Sequence, residues 1–149
     1  EFLKVEVNPD GTFDLTNKKQ NRVHKGLNYF EDGGENGDAR KHIPPMNDQV
    51  ISSRGVSVKS ASVEDGPVLA RIKIELTLEL PEEILPKKPK MIVEEAEPAI
   101  ASRSEKTANY IITSYVTLKA NSDILEVETH IDNNVKTINK DKKKTAIQL

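Results

Sequence analysis

The sequence predicts an all-β protein, an antiparallel β-sandwich, and three observations carry that expectation. In VEDGPVLARIKIELTLELP (63–81), every second residue from Val68 to Leu80 is apolar. Arg71, Lys73, Glu75, Thr77 and Glu79 stand between them, with Leu69 the exception. NYIITSYVTLKAN and DILEVETHID repeat the same period of two, and clusters of Asn, Asp, Gly and Pro separate the runs. Side chains of a strand alternate between faces, so each run has one apolar and one wet face. Sheets with one wet face are usually antiparallel, and regular turn signals between short strands point to a sandwich.

Taken in chain order, Leu3, Val5 and Val7 alternate with Lys4 and Glu6. NPDG at 8–11 supplies a turn, because Pro9 presets φ and Gly11 tolerates a left-handed backbone. TFDLT then completes a hairpin, with Phe13 and Leu15 on one face. NKKQNR is a polar turn and VHKGLNYF a short strand. Residues 31–48, EDGGENGDARKHIPPMND, hold three glycines and two prolines without a sustained period, and read as a long functional or mobile loop. QVISSRGVSVKSASV is extended, broken around Arg54 and Gly55, and 64–67 turn the chain into the long run. At about 3.3 Å per residue its 13 residues span roughly 43 Å, well beyond the usual strand, so a bend or bulge is expected to interrupt it. Residues 81–108 hold four prolines and the acidic EEAE. They read as a flexible excursion, with one short helical turn near 92–97 as the alternative. The run from Tyr110 puts Ile112, Val116 and Leu118 on its apolar face, NSD at 121–123 turns the chain, and Leu125, Val127, Thr129 and Ile131 share the last apolar face. KTINKDKKK loses all periodicity, so 136–149 reads as a frayed end.

Composition narrows the function. The 149 residues suit one domain with a core that needs no crosslink. A net charge of −2 with 31% charged residues lacks the basic excess of a nucleic-acid binder. No apolar run approaches 18 residues, which argues against a membrane helix, and no secretory signal pattern opens the chain. Zero cysteines removes disulfides, thiolate catalysis and cysteine zinc sites, and suits a reducing compartment such as the cytoplasm. The chain opens on FLKVEV without methionine and stops at KKKTAIQL, and it reads as one piece of something longer.

Chemistry is sparse. His24, His42 and His130 sit far apart, without partners at metal-ligand spacing. No HExxH, nucleophile elbow or phosphate-cradling glycine loop appears. Asp38 and Asp48 flank the proline pair of the long loop, the one place where acids, His42 and Asn47 converge. Glycoside hydrolysis needs two carboxyl groups, about 5 Å or 6.5–9.5 Å apart. Loop acids are more often solvated turn formers. No Trp, three Tyr and three Phe make an independent carbohydrate-binding module a poor fit.

Four segments taken in order resemble glycoside hydrolase family 38, the α-mannosidases, and among them bacterial members of the mannosylglycerate hydrolase type. They are FLKVEVNPDGTFDLTNK, GLNYFEDGGENGD with PP and NDQV after it, VEDGPVLARIKIEL, and ITSYVTLKANSDILEVETHIDNN. The similarity spans roughly residues 1–134. It implies the start of a large β-sandwich of the galactose mutarotase-like kind, in a multidomain enzyme whose barrel-like catalytic domain carries an aspartate nucleophile and a zinc site. Neither the nucleophile nor a zinc ligand maps onto this chain, so it needs no cofactor of its own and is expected to be inert alone. Its implied partners are the catalytic domain and a mannoside or mannosylglycerate-type substrate, and its bare sheet edges are expected to self-associate. The loop matching GENGDARKHIPPMND lies towards the catalytic domain in the family. Gly37, Asp38, Pro44 and Pro45 match the family pattern there, while the tyrosines expected between them are missing. Arg40 or His42 would then serve as donors to an anionic substrate, beside Asn47 and Asp48. The chain also departs from its relatives after DNN. A freestanding carbohydrate-binding or adhesion sandwich is the alternative reading. An immunoglobulin-like module fits less well, because the Cys…Trp…Cys core is missing.

Overall fold

The computed structural model describes residues 2–35, 42, 44, 45, 47–86, 101–132, 147 and 148. Among them every regular element is a strand, and strands pair in seven antiparallel ladders. In chain order these are β1 (Leu3–Val7), β2 (Phe13–Asn17), β3 (Arg22–Leu27), β4 (Glu31–Asp32), β5 (Ile51–Ser52) and β6 (Ser60–Asp65). Then follow β7 (Leu69–Pro81), β8 (Ile84–Pro86), β9 (Ala101–Arg103), β10 (Thr107–Lys119), β11 (Leu125–Asp132) and β12 (Ile147–Gln148). The chain divides into two compact units. One comprises Glu1–Phe30, Ser53–Leu78 and Tyr110–Asn133, and the other Glu31–Ser52, Glu79–Asn109 and Asn134–Leu149.

The first unit is the expected sandwich. A three-stranded sheet in the order β1-β2-β3 faces a four-stranded sheet in the order β11-β10-β7-β6. Phe13 from the first meets Ile74 and Val116 from the second, and Val5, Val7, Leu15, Leu27, Val58, Ile72 and Leu125 pack around them. The predicted hairpin forms, with Val7 opposite Phe13 and Leu3 opposite Asn17. Its turn is tight: the Asn8 N–H donates to the Thr12 carbonyl (2.8 Å) and the Gly11 N–H to the Asn8 carbonyl (3.0 Å). Gly11 has φ +80°, and a Cβ there would stand 3.1 Å from Val58 and 3.3 Å from Ile74, so glycine is required both for backbone and for space. Asp10 locks the turn by accepting from the Thr12 hydroxyl (2.7 Å) and the Thr12 N–H (3.1 Å).

Two differences from the sequence reading have local causes. The strand expected over 23–30 stops at Leu27, because Asn28 takes φ +67°. The Asn28 amide donates to the Gly11 carbonyl (3.0 Å), and its oxygen accepts from the Ser114 hydroxyl (2.9 Å). One side chain thus supplies the partners that a longer strand would have lost. The long run, in turn, is one uninterrupted strand of 13 residues. Ile74, Leu76, Leu78 and Leu80 are buried as their spacing requires, but Val68, first in the apolar series, is 71% exposed and lies before the strand begins. β10 is also 13 residues long and buries Tyr110, Ile112 and Val116.

In the second unit, β4 is the middle strand of a short sheet in the order β12-β4-β5, and β8 pairs with β9. β8 and β9 occupy the two ends of the 81–108 segment, with Ile84 opposite Arg103. The turn considered near 92–97 lies outside the described residues. β12 places Ile147 opposite Asp32, within the stretch that has no period in the sequence.

Two measurements check this account. Leu76→Ala removes a side chain that is 1% exposed and is expected to cost about 2–4 kcal/mol in denaturant unfolding. The Thr12 hydroxyl, foremost, holds the Asp10 carboxyl below its ordinary value of 3.8. A lowered folded pKa stabilises fully above the unfolded value and is lost as pH falls through the folded one. Melting temperature is therefore expected to drop more steeply below pH 4 in the parent than in Asp10→Asn.

Candidate functional site

The loop over 33–48 belongs to the second unit, and its two ends are drawn together by named groups. Asp32 closes β4 and is 1% exposed. The Gly34 N–H donates to Asp48 Oδ2 (2.7 Å), which spans the neck of the loop. A Cβ on Gly34 would stand 2.8 Å from Asp48 Oδ1 and 2.7 Å from Pro45, so this close approach excludes any larger residue. On the returning side the Asp48 N–H donates to the Pro45 carbonyl (3.2 Å), a turn that the Pro44–Pro45 pair presets.

Arg103, at the end of β9, fastens both sides of that neck. Its guanidinium pairs with the Asp32 carboxylate and donates through Nη1 to the carbonyls of Asp32 (3.2 Å) and Gln49 (3.0 Å). Asp48 Oδ1 lies 3.8 Å from Nη1. The Arg103 side chain is 10% exposed and that of Asp32 2%. A planar fork with five donors suits this multiple anchoring in a way a lysine ammonium cannot. Among the described residues, the buried Asp32 Oδ1 and Asp48 Oδ1 have no hydrogen-bond partner. The Arg103 guanidinium beside them offsets part of their lost hydration and ties both carboxylates to it.

The predicted site residues meet different fates. Asp38 and Arg40 lie outside the described residues. Asp48 is in the neck. Asn47 is exposed in the turn beside it. His42 is half exposed and sits with Nδ1 2.6 Å from Glu35 Oε2, on a carboxylate that is itself largely buried. That contact orients the ring and leaves Nε2 as its remaining polar atom. Sequence reasoning missed Asp32, Glu35 and Arg103. Asp32 and Glu35 carry a faint signal, as acids flanking the Gly33–Gly34 pair. Arg103 carries none, being 71 positions from Asp32.

The arrangement brings three carboxylates, one arginine and one histidine into a single loop neck. Among the described residues no group of three or more His, Asp or Glu is placed to hold a metal ion. In the first unit Arg54 lies over the Tyr29 ring at 4.0 Å, Arg71 over Tyr115 at 5.7 Å and Lys19 over Phe2 at 5.9 Å. Tyr110, Phe13 and Phe30 are buried.

No family model and no curated protein matches the chain. Solved structures do. An α-mannosidase from Enterococcus faecalis V583 aligns with a TM-score of 0.79 at 28% identity, over 91% of this chain and 16% of its own. A glycosyl hydrolase family 38 protein from Enterococcus faecalis gives the same TM-score and identity over 91% of this chain and 17% of its own. These alignments support the resemblance to glycoside hydrolase family 38 read from the sequence. The chain spans about one sixth of the length of the family 38 structures it matches.

Arg103→Ala strands the buried Asp32 carboxylate and is expected to cost about 3–5 kcal/mol in denaturant unfolding. Arg103→Lys, which keeps charge but not the fork, is expected to recover less than half of that loss.

Proposed function

We propose that this chain is the noncatalytic β-domain of a family 38 α-mannosidase. In this reading it supports the catalytic domain and lends its 33–48 loop to one wall of the sugar cleft. The alignment over nine tenths of the chain with an α-mannosidase is the observation that carries it. The nucleophile and the zinc of the reaction belong to the catalytic domain. The contribution of this chain is then recognition, through a loop whose neck is fixed by Arg103 and Gly34 while His42 is presented from Glu35. Loops that recognise ligands are usually carried in this manner on a rigid scaffold. Arg40 and His42 are the donors proposed for an anionic substrate of the mannosylglycerate type, with Asp38 and Asn47 as neighbouring acceptors and Asp48 holding the neck beside them. Hydrogen bonds from charged donors favour such a substrate over a neutral mannoside. The cytoplasm is the proposed location, on the strength of zero cysteines.

Kinetics of the enzyme carrying this domain test the reading. The double substitution R40A/H42A is expected to raise KM for an anionic mannoside about tenfold, with kcat and the KM for a neutral mannoside unchanged. Identical constants for both substrates would remove the loop from recognition. The 149-residue chain alone is expected neither to hydrolyse nor to bind α-mannosides, and tight glycan binding by it would favour a freestanding carbohydrate-binding module instead.

A further inference from the structure

We propose that β6 is a self-complementary sheet edge, and that two copies of this chain join through it in an antiparallel pair centred on Val63. Among the described residues β6 ends the four-stranded sheet, and residues 61–65 are all exposed. Val63 lies opposite Ile72 of β7 and Ala61 opposite Ile74, so both sit on the side of the sheet that carries the core. Val63 is nonetheless 67% exposed. An apolar strip thus continues past the covered part of the sheet to its rim, where edge strands are prone to pair with another chain.

Backbone geometry restricts how that pairing can occur. The Gly66 N–H donates to the Leu69 carbonyl (3.0 Å), which extends the β6–β7 register by one hydrogen-bonded pair. Antiparallel residues alternate between bonding their partner strand and pointing away from it. Glu64 and Ser62 therefore turn towards β7, as Gly66 does, and the free edge offers the N–H and C=O of Ala61, Val63 and Asp65. A second β6 must present the same three residues. Any register that sets an odd-numbered residue opposite an even-numbered one is thereby excluded.

Two central registers remain, and side chains separate them. Centring on Val63 sets Val63 against Val63, Ala61 against Asp65 and Ser62 against Glu64, with no acid opposite an acid. Centring on Ser62 leaves each Val63 against Ala61 and covers less of the exposed valine. Direct pairs of β-branched residues stabilise a sheet, and like charges directly opposite destabilise it. The Val63-centred pair gives a continuous eight-stranded sheet with a twofold axis through its middle. One strand pair makes a small interface, so the dimer is expected on the order of 0.1–1 mM.

Sedimentation equilibrium of the 149-residue chain up to about 1 mM tests this, beside two lysine variants. V63K sets lysine against lysine and is expected to weaken dimerisation about tenfold or more, while S62K sets lysine against Glu64 and is expected to leave it equal or tighter. Both positions are on the exposed edge, and far-UV circular dichroism checks that each variant folds. Because the chain has no cysteine, V63C adds its sole thiol, and mild oxidation is expected to crosslink two copies through it. Hydrogen-bonded antiparallel partners stand about 5.5 Å apart at Cα, within disulfide reach. A monomer throughout the range overturns the proposal. So does a V63K dimer as tight as the parent, loss of dimer in S62K but not V63K, or failure of V63C to crosslink.

Discussion

The first unit rests on a single requirement: two thirteen-residue strands, each apolar on one face, must keep that face dry. β7 and β10 are neighbours in the middle of their sheet, and together they supply the first unit with Ile74, Leu76, Leu78, Tyr110, Ile112 and Val116. Burial is worth about 25 cal/mol per Å² of apolar surface, so a layer over this face stabilises more than any polar contact in the unit. The β1-β2-β3 sheet is that layer, and Phe13 is where it reaches deepest. Polar details then follow from the close approach. Gly11 is forced by Val58 and Ile74, and Asn28 serves the backbone that cannot continue as strand.

The second unit obeys a different rule. Its strands β4, β5 and β12 are two residues long, too short for a ladder to hold unaided. Charge takes over that task. Arg103 reaches the backbone and the carboxylate of Asp32, the Gln49 carbonyl and the Asp48 side chain, so one cation ties segments on both sides of the 33–48 loop. Such a clamp is costly to desolvate, and its merit lies in geometry more than in net stability. A loop closed at its neck can vary at its tip without disturbing the sheet that carries it. That is the property a recognition loop needs.

The sandwich was legible because β1, β2, β7, β10 and β11 are long enough to show a period of two, and the turns at 8–11 and 121–123 use residues with strong backbone preferences. Strand ends were less legible. Val68 satisfies the alternation and still faces solvent, because sequence records which face is apolar and not how far the opposing layer extends. Elements of two or three residues have no period to read, which hid β4, β8, β9 and β12, whereas β5 falls within the run read as extended before Arg54. Within the loop, Asp48 and His42 could be named from composition, but their partners could not. Glu35 becomes visible only when the loop closes, and Arg103 only when a residue 71 positions away folds against Asp32.

In the second unit the loop neck occupies the acids that it brings together. Asp32 and Asp48 are held by Arg103, and Glu35 faces His42. A nucleophile or general acid has to keep an oxygen open to the reacting centre, and a buried carboxylate held against a guanidinium is poorly placed for either role. Of the tyrosines, Tyr29 carries Arg54 over its ring, Tyr115 carries Arg71, and Tyr110 is buried in the core. What the chain does offer is a broad sheet and a loop with a fixed neck. Both are means of holding something else in position.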